Sequence, residues 1–220
     1  MAVPKPDLTV SPGKLRGARK AADDPEPEDR KGAILAAAAE IFHRKGFHAT
    51  SIQDIASEVG MLKGSLYYYI SSKDALLLQI ITDVHEEAFS YLQDVLDSHG
   101  PAIQRIRRFI VSHTEYCASH QTGMGVYLHE YKALHGPART KVMEMRDRYE
   151  VVVKEMIVSG QAEGSIRGDL DPRMAVKSML GMTNWLYHWY NPKGPLSPTG
   201  IGESMADFAL RGITSDHPRA

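Results

Sequence analysis

The chain has 220 residues, ample for a core in one elongated or two closely joined units, and 26 Lys and Arg against 27 Asp and Glu leave a formal net charge of −1. A hydrophobic content of 43% with 24% charged residues is ordinary for a globular protein and excludes disorder throughout. The single cysteine, Cys117, excludes an intrachain disulfide framework and a multi-cysteine zinc site; with nothing beside it to activate a thiol, it reads as a small buried residue.

Residues 1–28 carry Pro4, Pro6, Pro12, Gly13, Pro25 and Pro27 without hydrophobic periodicity, so a flexible extension is expected there. Lys5, Lys14, Arg16, Arg19 and Lys20 make it basic before Asp23, Asp24, Glu26, Glu28 and Asp29 reverse the sign. It is either an inert tail or an arm that follows phosphates or enters a minor groove. The N-terminus lacks the apolar core of a secretory signal, and no run of about 18 apolar residues occurs. A membrane span is therefore not expected, and the cytoplasm is the expected compartment.

A first helix is predicted over 29–45, with Ile34, Leu35, Ala38, Ile41 and Phe42 on one face and Gly46 as its stop. Thr50 or Ser51 then caps a second helix. Ile52, Ile55, Ala56 and Val59 form its apolar stripe, and Gly60 supplies the positive φ of a tight corner. Leu66 on a third helix over 63–69 closes that core. Lys63, Ser65, Tyr67 and Tyr68 are left on a polar face that no core requires. Two short helices at a sharp corner make a helix-turn-helix, and duplex DNA becomes the leading partner.

Ser71-Ser72-Lys73-Asp74 is another cap, and Leu76, Leu77, Ile80, Ile81, Val84, Ala88, Leu92, Val95 and Leu96 predict a helix to Ser98, roughly 40 Å long. Gly100-Pro101 ends it. Further helices are predicted over 102–119, 124–134, 138–162, 172–190 and 198–213, with Asp171-Pro172 and Ser197-Pro198 as start signals. No useful strand alternation interrupts them, so the chain is read as all-α. It divides into the extension 1–28, a helix-turn-helix unit 29–73, and a helical ligand-binding and dimerisation unit 74–214.

Gly46-Phe47, Thr50-Ser51-Ile52, Asp54-Ile55-Ala56, Val59-Gly60, Lys63-Gly64-Ser65-Leu66-Tyr67 and Ser72-Lys73 together resemble the TetR/AcrR family of bacterial transcriptional regulators. The sequence departs at Leu62, where that family commonly has serine, and at Tyr68-Tyr69-Ile70, where two histidines and a phenylalanine are frequent. The segment Asn184–Pro192 followed by Gly194-Pro195-Leu196-Ser197 resembles the branch that governs fatty-acid and aromatic-acid degradation and answers to acyl-coenzyme A thioesters. An arginine is common there in place of His188.

The resemblance implies a repressor that binds a palindromic operator as a homodimer and is released by a small-molecule effector, with no cofactor and no catalysis. For DNA it implies that Thr50, Tyr67, Tyr68 and Lys73 position the backbone beside the cap Ser51, while Lys63, Gly64 and Ser65 face base edges. In the last helix, Gly202, Ala206 and Ala209 permit close approach and Met205 and Phe208 supply apolar area for the dimer, or serve the core of one subunit. Met124, Tyr127, Leu128, Tyr131, Met156, Asn184, Trp185 and His188 are the expected lining of an effector cavity. Arg105, Arg107 and Arg108 are either a coenzyme phosphate site or a solvated face. A drug-like hydrophobic effector, a purely protein-binding helical module, and a metal-dependent enzyme using His113, Glu115, His120, His129 and Glu130 are the competing readings.

Overall fold

A computed structural model of the chain describes residues 27–215. The expected flexible extension and its basic arm fall outside those residues, except that Pro27 and Glu28 already belong to the first helix. Ten helices follow in order among the described residues: α1 Pro27–Lys45, α2 Ile52–Glu58, α3 Lys63–Leu66, α4 Lys73–Asp97, α5 Ala102–Ser119, α6 Gln121–Glu130, α7 Gly136–Ala162, α8 Pro172–Asn184, α9 Leu186–Trp189 and α10 Pro198–Ile213. A single 3₁₀ turn, Tyr131–Ala133, extends α6. The expected caps are in use. Ser51, Ser72, Asp171 and Ser197 accept backbone N–H groups of α2, α4, α8 and α10. Gly46 and Gly60 take φ of 82° and 65°, as the stop of α1 and the corner after α2 require.

Two apolar cores are joined by α4. Ile34, Ala38, Phe42, Phe47, Ile55 and Leu66 pack with Leu77 and Ile81 of α4, and this core also takes Val126, Leu134 and Val142 from beyond it. The small amino-terminal unit is therefore seated on α6 and the start of α7. The larger core gathers Leu92, Ile106, Phe109, Cys117, Met124, Val153, Met156, Met179, Ala206 and Leu210 from α4 to α10. Cys117 lies buried there, and burial pushes its thiol up to about 12, which keeps it protonated. No helix among the described residues is long and apolar enough to cross a membrane.

Local departures from the sequence reading have physical causes. Gln121-Thr122-Gly123, which the sequence left between the helices predicted over 102–119 and 124–134, opens α6 instead. The Gln121 amide donates to the carbonyls of Tyr187 and Tyr190 and so anchors that end. A Cβ on Gly123 would stand 2.8 Å from Val84, and one on Gly125 would stand 2.4 Å from the His43 ring. Both glycines serve close packing of α6 on α4 and α1. The helix expected to reach Tyr190 is interrupted at Trp185, which separates α8 from the short α9.

Candidate nucleic-acid interface and ligand cavity

The motif is held rigid from below. Ser51 accepts the Asp54 N–H at 3.1 Å while Asp54 accepts the Ser51 N–H at 2.8 Å, a reciprocal capping box that holds the Asp54 carboxyl below its usual range. The Thr50 hydroxyl donates to the Gly46 carbonyl at 2.8 Å, and its side chain is buried. The Lys73 ammonium donates to the carbonyls of Phe47 at 2.8 Å and Thr50 at 2.7 Å, and stands 4.3 Å from the Phe47 ring centroid. That leaves one of its N–H donors for anything outside. Thr50 and Lys73 thus brace the corner from within rather than face outward.

The outward face belongs to α3 and the turn after it. Leu62, Lys63 and Gly64 are exposed, Ser65 is half-buried, and Leu66 is sealed in the core. Tyr67 is 49% exposed and Tyr68 90%, whereas Tyr69 packs against the core. A phenol ring that exposed has no packing role in the subunit. Regular α-helix ends at Leu66, so the expected 63–69 rod is one helical turn continued by hydrogen-bonded turns through Tyr69. What the surface offers is an ammonium, a hydroxyl, two phenols and a side-chain-free backbone at Gly64, narrow enough for a major groove.

The second unit encloses a cavity of about 250 Å³ between α4, α5, α6, α7 and α8. Val84, Ala88, Met124, Leu128 and Leu180 supply apolar wall. Buried polar groups stand among them. Tyr149 donates its hydroxyl to His113 Nδ1 at 2.9 Å, and His113 Nε2 meets Asn184 Oδ1 at 2.8 Å. Burial lowers the His113 pKa, partly opposed by the Asn184 hydrogen bond, so the ring is neutral and its one N–H points at Asn184. His85 is likewise buried, its pKa pushed down to about 4 by desolvation. Arg146, Glu150 and Lys177 also line the cavity, and Lys177 pairs with Glu150 at 3.0 Å. Those two residues also border a groove of about 490 Å³ that carries Lys154 and Arg173.

Of the expected lining, Met124, Tyr127, Leu128 and Asn184 come together in this cavity. Tyr131 lies under Arg139 and Arg146 against the amino-terminal core, and Met156 is inside the larger core. Trp185 is exposed with His188 stacked on it at 4.5 Å, outside the cavity. The sequence reading missed His85, Arg146, Tyr149, Glu150 and Lys177. The i, i+4 pair Arg146 and Glu150 on α7 was the signal available. The residues drawn as a metal site go elsewhere: His113 into the tyrosine–asparagine network, His129 to the Tyr187 hydroxyl, Glu115 to Thr199, and His120 beside Glu87. Among the described residues no group of three His, Cys, Asp or Glu is placed to hold a metal. Arg107 is engaged by Glu203 and Asp207, and Arg108 donates to the His99 carbonyl, so with Arg105 near Glu163 these arginines form intrachain ties.

In α10, Gly202 and Ala206 are buried against α5, where a Gly202 Cβ would stand 2.9 Å from Val111 Cα. The Thr114 hydroxyl lies 3.8 Å from the Met205 sulfur, and Ala209 is half-buried. Phe208 differs. It is 76% exposed, and with Met174, Met182 and Leu170 it lines an apolar surface groove between α8 and α10.

Two family patterns match the chain. One, described as bacterial regulatory proteins of the tetR family, covers residues 34–80; the other, a tetracyclin repressor-like C-terminal domain, covers 99–213. The HTH-type transcriptional repressor KstR2 of Mycolicibacterium smegmatis is 29% identical over 190 residues, 86% of this chain and 93% of that protein. The solved structure of the ketosteroid transcriptional regulator KstR2 of Mycobacterium tuberculosis gives a TM-score of 0.80 at 26% identity, covering 85% of this chain and 96% of that one. AibR, solved in complex with isovaleryl coenzyme A and operator DNA, gives a TM-score of 0.74 at 28% identity, covering 84% and 98%.

Proposed function

The chain belongs to the TetR family of helix-turn-helix transcriptional regulators, and from that premise we propose a dimeric repressor whose hold on a palindromic operator is released when an acyl-coenzyme A thioester enters the cavity between α4 and α8. The observation that carries the proposal is that two helices of the reading head's seat, α4 and α6, are also walls of the cavity. A cavity of about 250 Å³ is smaller than the roughly 300–1,000 Å³ usual for a whole drug-sized ligand. An acyl group can occupy it while a larger head group lies in the adjoining groove, where Lys154 and Arg173 suit phosphates beside Asp147 and the Lys177–Glu150 pair. AibR, with isovaleryl coenzyme A in its structure, is a relative of matching fold. Against a drug-like hydrophobic effector stands Asn184, whose amide N–H groups an apolar molecule would leave facing hydrocarbon.

The dimer would use the exposed strip of α8 and α10 around Met174, Met182 and Phe208, with the buried Gly202 and Ala206 shaping it from behind. Two-fold pairing sets the α3 segments about 34–36 Å apart, one turn of duplex. Lys63 and Ser65 then meet base edges beside Gly64, and Tyr67 and Tyr68 meet phosphates.

Operator affinity, measured by gel shift on DNA upstream of the encoding gene, is expected to fall about 5–150-fold with a matching thioester, but not with coenzyme A alone. Unchanged affinity across a thioester series defeats the effector reading. Lys63→Ala is expected to cost about 1–3 kcal/mol and relax preference at a single base pair, while Tyr68→Phe weakens all sequences alike. Fluorescence titration against an operator and its point variants reads both effects, and identical behaviour of the two variants would contradict the assigned roles.

A further inference from the structure

The polar groups of the cavity are not all satisfied by one another. Asn184 gives its Oδ1 to His113 at 2.8 Å, which leaves both N–H donors of its amide without a partner among the described residues. The Tyr127 hydroxyl likewise has no hydrogen bond among the described residues, and burial, which pushes its pKa up to about 12, keeps it a donor. Both residues line the same cavity, between α6 and α8. His113 cannot relieve them, because Tyr149 occupies its Nδ1 and Asn184 its Nε2. Lys177, paired with Glu150 and 60% exposed, stands where the cavity adjoins the groove proposed for a head group.

We propose that the cavity selects an acyl group bearing its own oxygen acceptor, a ketone or comparable carbonyl remote from the thioester, which Asn184 Nδ2 and the Tyr127 hydroxyl hold by donated hydrogen bonds. The inference rests on the thioester reading above and narrows it. A saturated acyl chain would strip both donors of water and return nothing, whereas a carbonyl accepts from both. Satisfiability makes this a strong discriminator. A site built to hydrogen-bond a ligand oxygen rejects the analogue lacking it far better than an apolar site distinguishes one methylene.

The test uses the full chain and matched probes by isothermal titration: hexanoyl- against 5-oxohexanoyl-coenzyme A, and octanoyl- against 7-oxooctanoyl-coenzyme A. The oxo member of at least one pair is expected to bind about tenfold tighter or more. Tyr127→Phe and Asn184→Leu should each shrink that preference markedly, while affinity for the saturated partner holds or rises. Tyr127→Phe keeps the ring in place and carries the test if Asn184→Leu, which also deprives His113 of its partner, fails to fold. Equal binding within both pairs, or a preference that survives both substitutions, overturns the inference while leaving thioester recognition standing. Binding by no thioester at all overturns both.

Discussion

Gly202→Val is expected to destabilise the subunit by about 3 kcal/mol or more, with the melting temperature falling about 2–4 °C for each kcal/mol. The reason is backbone. A Cβ at 202 would stand 2.9 Å from Val111 Cα and 3.3 Å from its carbonyl oxygen, so α5 and α10 would have to separate along a crossing that also buries Ala206. No rotamer change relieves such a clash. Phe208→Glu is the companion experiment, since its exposed ring contributes little to the subunit. A buried aromatic at an interface centre is typically worth 2 kcal/mol or more. Phe208→Glu should therefore leave the melting curve of the subunit nearly intact while shifting sedimentation toward monomer and weakening operator binding. Should Gly202→Val melt like the wild type, the close α5–α10 crossing is wrong. If Phe208→Glu stays dimeric, the interface lies elsewhere.

Lowering the pH from 6.5 to about 4 is expected to remove up to about 3 kcal/mol of stability through His85 alone. Desolvation holds this imidazole neutral among Phe89, Tyr127 and Tyr149, aided by the cations Arg148 and Arg146 and opposed by its hydrogen bond to the Met145 backbone. In the unfolded chain the same ring takes a proton near pH 6.5, and the folded chain does not take it until about 4. Across that interval the unfolded state binds more protons, so stability declines as pH falls. His113, with its pKa lowered by burial, adds in the same direction. Asp54, whose carboxyl titrates below its usual range, contributes only at lower pH. Urea unfolding at pH 7, 5.5 and 4.5 reads the effect, and His85→Phe should flatten it. Equal midpoints at pH 7 and 5.5 would show that His85 is not held neutral.

The sequence made the helix ends legible because capping chemistry is local. Ser51, Ser72, Asp171 and Ser197 act on N–H groups two or three residues away, so neighbouring residues alone reveal them. The reading head was legible for a similar reason: an exposed Tyr68 beside a buried Leu66 follows from helical register. Glycines were ambiguous. Gly46 and Gly60 turn the chain, whereas Gly123, Gly125 and Gly202 admit a neighbouring helix, and only the partner distinguishes the two uses. Of the cavity, Met124, Tyr127 and Leu128 were readable as one face of one helix. His85, His113 and Tyr149 were not, because they sit on apolar stripes of separate helices and acquire a polar role only where those stripes converge. Trp185 and His188 lie on the exposed side of a segment whose Leu186 and Tyr187 face the core, a register the sequence alone did not show.

Lys73 carries a last consequence. It is the first residue of α4, and its ammonium clamps the carbonyls of Phe47 and Thr50, so this shaft is tied directly to the reader. Val84, His85 and Ala88 ride the same rod roughly 17–23 Å along. A displacement there would reach the corner through Lys73. In a two-fold pair, filling a single cavity would aim one reader and not the other, and a palindrome tolerates only matched aim. One molecule of effector per pair should then suffice to unseat both subunits.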